Sequence, residues 1–323
     1  MSGSKVIEAA VNVVAPQNQQ SETPVRRALT ASAEKSLLTV VVPTKNSGRT
    51  LDRCLRSIST QVGHDGAHYP IELVVVDNYS TDETAQIAAA RADLVSLCGP
   101  ERSAQRNRGL QLATRDFILF VDSDMVLETH VCVDVVAALQ SLDCGGVVVP
   151  EESFGDGFWA CCRALEKRIA IGDPGTEAAR GFRVSQLRDI GGWNESLTAA
   201  EDWELTDRIV GTGSRIDRAQ ARIFHDEGHP TLRGNFEKKR YYGRWMATYL
   251  RASKSHMNGS TFLTRTARLS PLRIFRRPRL LLENPAVSLG LVALKTVDAI
   301  GIGLGVLSAR RSVARPVGIA TQQ

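Results

Sequence analysis

Two aspartates one residue apart, Asp122 and Asp124, follow five apolar residues, Phe117-Ile118-Leu119-Phe120-Val121. A continuous apolar run of that length reads as a strand buried on both faces, and its carboxyl end is where ligands of open α/β sheets bind. Two hard oxygen groups there suit a divalent cation, although Asp also forms plain turns by bonding its own backbone. Polar groups recur at the ends of other apolar runs. Val40-Val41-Val42 leads into Pro43-Thr44-Lys45-Asn46, and Leu73-Val74-Val75-Val76 leads into Asp77, with Asp82 further on. Arg106-Asn107-Arg108-Gly109 precedes the paired aspartates. A carboxylate can read a base N–H or ribose hydroxyls, an arginine can clamp an anionic oxygen, and paired aspartates can hold a metal. A base, a ribose and a diphosphate together need that mixture.

A parallel sheet would bring these groups to one edge. Apolar runs at 37–42, 71–76, 94–97 and 117–121 alternate with helical stretches. The first is read as capped by Thr50, the second as opened by Thr81 and running to 91, and the third as 102–113. The resulting β-α-β-α-β-α-β order predicts an α/β fold with a mostly parallel, doubly wound sheet. Beyond it are read a helix at 130–141, a strand at 145–150, a helix at 154–172 and short extended pieces at 215–216 and 221–224. A basic, aromatic helix at 235–250 and a long apolar segment at 284–307 follow. No G-x-G-x-x-G follows the first strand and no G-x-x-x-x-G-K-[ST] occurs, which disfavours a dinucleotide oxidoreductase and a P-loop NTPase.

With 43% hydrophobic and 23% charged residues in 323, the composition is that of an ordinary globular protein. The net charge of +5 is local: Arg251 to Leu282 holds eight Lys or Arg and no acid. The remainder is net acidic, so an anionic partner is expected near the C-terminal third. Cys54, Cys98, Cys132, Cys144, Cys161 and Cys162 form no C-x-x-C pair, which fits a reducing compartment without structural zinc. Residues 1–20 show no apolar core followed by a cleavage site, and 1–35 are expected to be a mobile, disordered leader.

VVVPTKN, VVVDNYSTDET, RNRG and FVDSD, in this order, resemble the family 2 glycosyltransferases with the GT-A fold. The resemblance implies a nucleotide-sugar donor bound by Pro43, Thr44, Lys45 and Asn46, with Asp77 reading the base. Arg106 falls on the nucleotide side. Asp122 takes a ribose or metal role and Asp124 a metal role, the cation being Mn²⁺ or Mg²⁺. GGWNESLTAAEDWELTDRI resembles that family's Gly-Gly-Phe-Asp-like turn and acidic pair, which implies Asp202 as general base with Glu201 second. An acid in the first turn of a helix is stabilised as the anion, and a base must be ionised to accept a proton. Glu204 and Arg208 are spaced as a structural i,i+4 pair. His225 is open between a third metal or diphosphate ligand and a surface-loop histidine, and His229 is read as the latter. The reaction implied is a single in-line displacement with inversion.

Tyr241-Tyr242-Gly243-Arg244-Trp245 lacks the Gln of the processive Q-x-x-R-W signature, so transfer of one or a few sugars is expected. A sugar-nucleotide pyrophosphorylase would carry a Gly-rich basic loop after the first strand, where Pro43-Thr44-Lys45-Asn46 stands. An inactive nucleotide-sugar sensor or scaffold remains open until the base is tested.

The domain reading is a catalytic unit at 36–232, a basic, aromatic and apolar helical membrane-associating region at 233–311, and a tail at 312–323. Trp193, Arg240, Arg244 and Trp245 are expected on the acceptor side. Residues 285–307 approach the roughly 20 needed to span a bilayer. Lys295 and Asp298 interrupt them, and a mid-membrane charge costs about 2.5–3.5 kcal/mol. A helix lying in the membrane interface is expected, with a core helix and a true span as alternatives. A lipid-linked or cell-envelope glycan acceptor would join both features, its phosphate meeting Arg240 or Arg244. That reading sets the protein in the cytoplasm, on the inner face of the cell membrane at an anionic surface, with no nucleic acid partner.

Overall fold

The computed structural model describes residues 25–26, 36–197, 200–255 and 271–313. The rest of the expected leader, Thr198 and Ala199 of the acidic-turn motif, residues 256–270 of the basic run and the tail from 314 lie outside the described residues.

Strand alternation divides the apolar runs between two cores. Leu38, Val40 and Val42 of β2 (Leu38–Thr44) face one side with Leu73 and Val75 of β3 (Glu72–Asp77) and Leu119 of β5 (Phe117–Phe120). They pack on α1 (Gly48–Ser59) through Leu51, Cys54, Leu55 and Ile58, and on α4 (Val131–Leu139) through Val131, Val135 and Leu139. Val41, Val74, Val76, Ile118 and Phe120 face the other side. There they meet Leu110 of α3 (Arg102–Leu112), Leu187 of α6 (Val184–Asp189), and Leu205 and Ile209 of α7 (Glu201–Gly211). Each such side chain contributes about 1.5–3 kcal/mol on burial, which fixes the register of the central strands.

The main sheet has the order β1-β4-β3-β2-β5-β9-β7-β10. Its outer members are β1 (Val25–Arg26), β4 (Leu94–Leu97), β7 (Cys144–Val148), β9 (Gly181–Arg183) and β10 (Arg215–Arg218). Strands β4, β3, β2 and β5 are parallel, β10 runs parallel to β7, and β9 is antiparallel between β5 and β7. A smaller sheet orders β6 (Met125–Leu127), β11 (Ile223–Asp226) and β8 (Glu151–Phe154). Strands β1, β6, β8 and β9 are absent from the sequence reading because they are too short to show a period, and β1, paired antiparallel with β4 at Val25 and Val95, corrects the expectation that all of 1–35 is disordered. The sequence reading also set two helix starts late or early. Helix α1 begins at Gly48 behind Ser47, and Thr50 sits in its first turn bonding Ser47 O at 3.4 Å. Helix α2 (Thr84–Arg91) begins at Thr84, whose N–H is taken by Asp82 Oδ1 at 3.1 Å, not at Thr81.

The C-terminal part comprises α8 (Leu232–Ser255), a 3₁₀ turn at Pro271–Arg276, α9 (Pro278–Glu283) and α10 (Pro285–Val313). Among the described residues, one helix stretch, Pro285–Ala309, is long and apolar enough to cross a membrane. Its two central charges point into the protein. Asp298, 3% exposed, meets Arg163 of α5 (Phe158–Ala170) at 3.4 Å, Lys295 at 3.3 Å, Lys239 of α8 at 3.8 Å, and Asn235. Glu166 takes Lys295 at 2.8 Å and Arg163. Burial alone would raise the Glu166 carboxyl, but Lys295 and Arg163 hold it well below the usual range. Gly301 and Gly305 lie against the Phe236 and Arg240 backbone of α8, where a Cβ would collide. Leu289 (72% exposed), Val292, Ile300, Leu304 and Leu307 make an outward apolar face.

Candidate active site

Parallel pairing sets Thr44 beside Asp77, and Val121 N–H bonds Val41 O at 3.0 Å, so the polar loops leave one sheet edge together. Asp77 is buried, and its carboxylate accepts from Ser80 N–H at 3.0 Å and from the Ser80 hydroxyl. Asn46 laces the first loop to the second: its N–H donates to Ser80 Oγ at 2.8 Å, and its Oδ1 accepts from Thr81 N–H at 2.9 Å. Asn46 (φ 48°) and Tyr79 (φ 51°) both take the left-handed conformation that so tight a crossing requires. Pro43 and Thr44 are buried under this edge, and Lys45 is exposed at it. Asp82 accepts Gly48 N–H at 3.0 Å and ties down the start of α1.

Arg106 is the hub. Its side chain is 1% exposed, and its guanidinium meets three carboxylates. Nη1 donates to Asp202 Oδ1 at 2.7 Å and to Glu201 Oε1 at 3.2 Å, and Nη2 donates to Asp122 Oδ1 at 3.1 Å. Asp122 Oδ2 accepts from Arg180 at 3.2 Å, and Arg102 stands 4.0 Å from Oδ1. Burial would raise the Asp122 carboxyl, yet Arg180, Arg106 and Arg102 hold it far below the usual range. Glu201 is shifted upward, first by burial and then by its neighbour Asp202. Asp202 opens α7 behind Ala200, which is strained at φ 64°. It is 34% exposed, and both its donors, Arg106 and the Trp193 indole N–H at 3.1 Å, reach Oδ1. Oδ2 has no hydrogen-bond partner among the described residues. Glu204 and Arg208 pair at 2.8 Å, as their spacing suggests.

Asp124 lies one strand step from His225, because β11 pairs β6 and Asp226 N–H bonds Asp124 O at 2.8 Å. His225 Nε2 is 3.1 Å from Asp124 Oδ2, and Nδ1 is 3.0 Å from Glu151 Oε1. Burial would lower the imidazole, but bonds to Asp124 and Glu151 raise it to about 10. Glu151 also takes Lys167 at 2.7 Å and Arg180 at 3.2 Å. No group of three or more His, Cys, Asp or Glu is placed to hold a metal ion among the described residues. Asp124 Oδ1, however, is buried without a hydrogen-bond partner among them. The free buried Asp124 oxygen fits Mg²⁺ or Mn²⁺, which use few protein ligands and complete their shells with substrate phosphates and water, and His225 would join them only on releasing the proton that Asp124 and Glu151 hold on it. Thr44 Oγ1 and Arg106 Nε are likewise buried without partners at this edge.

Beside Arg102 and Glu201, a cavity of about 160 Å³ is lined by Glu101, Arg102, Ser103, Leu197, Glu201, Tyr241 and Tyr242. Arg102 Nη2 reaches the Tyr242 hydroxyl at 3.4 Å. Trp193, expected on the acceptor side, is 3% exposed, with its ring wedged against Phe120 and Phe182. Arg240 and Arg244 are exposed on α8, and Trp245 is half-buried. His229 is exposed beside Asp156. The sequence reading missed Arg102, Glu151, Lys167 and Arg180. Glu151 alone carried a signal, since it follows an apolar run as Asp122 does.

The family model of Glycosyl transferase family 2 matches residues 39–181. A Pre-mycofactocin glycosyltransferase of Mycobacterium tuberculosis is 28% identical over 232 residues, covering 64% of this chain and 46% of that protein. The chain thus spans about half the length of that relative. A PGL/p-HBAD biosynthesis glycosyltransferase of Mycobacterium bovis is 29% identical over 196 residues, 56% of this chain and 73% of that protein. Among solved structures, the mannosyltransferase PcManGT from Pyrobaculum calidifontis, in complex with GDP-Man and Mn²⁺, superposes with a TM-score of 0.62 at 16% identity, covering 87% of this chain and 89% of that one. S. aureus TarS in complex with UDP-GlcNAc gives 0.51 at 19% identity, covering 85% and 92%. These likenesses give the fold, with its mostly parallel sheet, helical flanks and C-terminal helix. Residues 39–181 of this chain are a Glycosyl transferase family 2 domain, carried on a GT-A fold.

Proposed function

We propose that this protein is an inverting, metal-dependent glycosyltransferase that moves a sugar from a nucleoside-diphosphate sugar to an acceptor hydroxyl or phosphate. One observation carries the reading: a buried guanidinium, Arg106, joins the donor-side carboxylate Asp122 to Asp202 on the acceptor side. Asp202 Oδ2 accepts the acceptor's proton while Oδ1 stays bonded to Arg106 and Trp193. The freed oxygen attacks the anomeric carbon from the face opposite the nucleotide, which inverts it. Arg102, Arg106 and Arg180 give the donor side a cationic lining suited to diphosphate. Asp77 reads the base at the end of β3, beside Pro43, Thr44, Lys45 and Asn46. Asp124 would hold Mn²⁺ or Mg²⁺ through its unpartnered Oδ1, with Asp122 joining on release from its arginines and His225 on loss of its proton; when bound the cation neutralises the departing diphosphate. The GDP-Man and Mn²⁺ of the mannosyltransferase neighbour support this donor class.

A panel of UDP-, GDP- and dTDP-sugars, screened by thermal shift with and without Mn²⁺, identifies the donor. Asp202→Asn then keeps that shift and loses turnover. Full turnover in Asp202→Asn refutes the base assignment, and turnover lost together with donor binding points to a binding role.

The acceptor in this reading is lipid-linked or a cell-envelope glycan, met at the inner face of the cell membrane. The outward apolar face of α10 supports it, as do the exposed Arg240 and Arg244 on α8, whose Arg240 backbone borders α10 at Gly301 and Gly305. An apolar helix face flanked by cations complements an anionic bilayer. Leu289→Glu/Leu304→Glu should abolish co-flotation with vesicles containing anionic phospholipid, and Arg240→Glu/Arg244→Glu should weaken it. Flotation equal to wild type in the leucine variant excludes this face. Loss of a dimer in that variant assigns the face to a second copy.

A further inference from the structure

Arg106 is expected on the nucleotide side and meets Asp122 there, and it and its neighbour Asn107 also reach toward Asp202 and Trp193. We propose that Asn107 and Trp193 form a positioning relay that holds Asp202, a proposal that rests on the assignment of Asp202 as general base. The Asn107 side-chain amide brackets the Trp193 backbone as a neighbouring strand would. Its Oδ1 accepts from Trp193 N–H at 2.8 Å, and its Nδ2 donates to Trp193 O at 2.9 Å and to Glu195 at 2.7 Å. Arg208 pins the preceding turn, donating to Ile190 O at 2.8 Å and Gly192 O at 2.6 Å. The Trp193 ring is edge-on to Phe120 at 4.4 Å and to Phe182 at 5.9 Å, so it has one orientation. That orientation aims the indole N–H at Asp202 Oδ1, 3.1 Å away.

The consequence is a division between the two oxygens. Arg106 and Trp193 both occupy Oδ1, so the carboxylate cannot rotate without breaking two donors, and Oδ2 is left as the proton-accepting atom. Arg106 acts directly and Asn107 acts through Trp193. Adjacent residues of one motif on α3 thereby fix the base carried on α7. Trp193 is 3% exposed and acts through Asp202, which makes it a positioning residue.

The test uses the full chain with Mn²⁺ and whichever UDP-, GDP- or dTDP-sugar gives the largest thermal shift. Release of nucleoside diphosphate is followed with water as the acceptor beside Asp202. Trp193→Phe removes the N–H and keeps an aromatic ring against Phe120 and Phe182. It should lower kcat roughly tenfold to a hundredfold, with donor KM within about twofold. Asn107→Ala should act in the same direction. The double variant should be no slower than the slower single, because both act on one bond. In the Asp202→Asn background, Trp193→Phe should leave the residual rate unchanged. A merely structural tryptophan would lower that residual rate by the same factor as in wild type, and this result overturns the proposal. So does unaltered kcat in Trp193→Phe when Asp202→Asn is inactive. Full activity in Asp202→Asn is a separate outcome that overturns the base assignment itself.

Discussion

Replacing Arg106 by Met tests the hub at the level of stability. The guanidinium is 1% exposed and holds Asp202, Asp122 and Glu201 at 2.7, 3.1 and 3.2 Å. Removing one partner of a buried pair costs about 3–5 kcal/mol, because the other charge stays buried. Three features bring this site to the lower end. Asp122 keeps Arg180 at 3.2 Å and Arg102 at 4.0 Å. Asp202 is 34% exposed and is solvated in part. Glu201, already raised by burial and by Asp202, takes up a proton. The expected loss is about 3 kcal/mol, or roughly 6–12 °C in Tm for a chain with this much folded structure. The pH dependence gives the sign. In the variant the folded state binds protons more readily than the unfolded chain, so its stability falls as pH rises through the raised folded values. The deficit against wild type should therefore be smaller at pH 5 than at pH 8. Chemical denaturation at both pH values measures it. A loss under about 1 kcal/mol, or a deficit that widens in acid, refutes the reasoning.

Glu201→Gln keeps a hydrogen-bond acceptor for Arg106 and removes a carboxyl whose folded value is raised. That group stabilises fully below its unfolded value and loses the contribution as pH rises, so the variant should show a flatter stability profile from pH 5 to 8 in urea unfolding. Asp298→Ala leaves Arg163, Lys239 and Lys295 facing one another without their shared carboxylate. It should detach α10 locally, seen as faster amide exchange across 285–309, with donor-induced thermal shift retained.

The sheet was legible because Val41, Val75 and Leu119 belong to runs apolar on both faces, a pattern that only a two-sided strand needs. Asp77, Asp122 and Asp124 were legible because each acid interrupts such a run at its end. The partners of those acids were not. Arg180 precedes a three-residue strand, and Lys167 lies on a helix whose period gives no reason to look toward Asp122. Their meeting at Glu151 depends on the antiparallel insertion of β9, a long-range event with no local signature. The pairing of Lys295 with Asp298 could be read from i,i+3 spacing, but their inward orientation required Arg163 and Asn235, more than sixty positions away in the chain.

The central claim is that loops after β2, β3 and β5 form one nucleotide-sugar site completed by a cation. Calorimetric titration of the donor selected from the panel tests it most directly. Binding should require Mn²⁺ or Mg²⁺, be abolished by Asp77→Ala and by Asp124→Ala, and survive Asp202→Asn. Donor binding equally tight in chelator, or unchanged by Asp124→Ala, would contradict it.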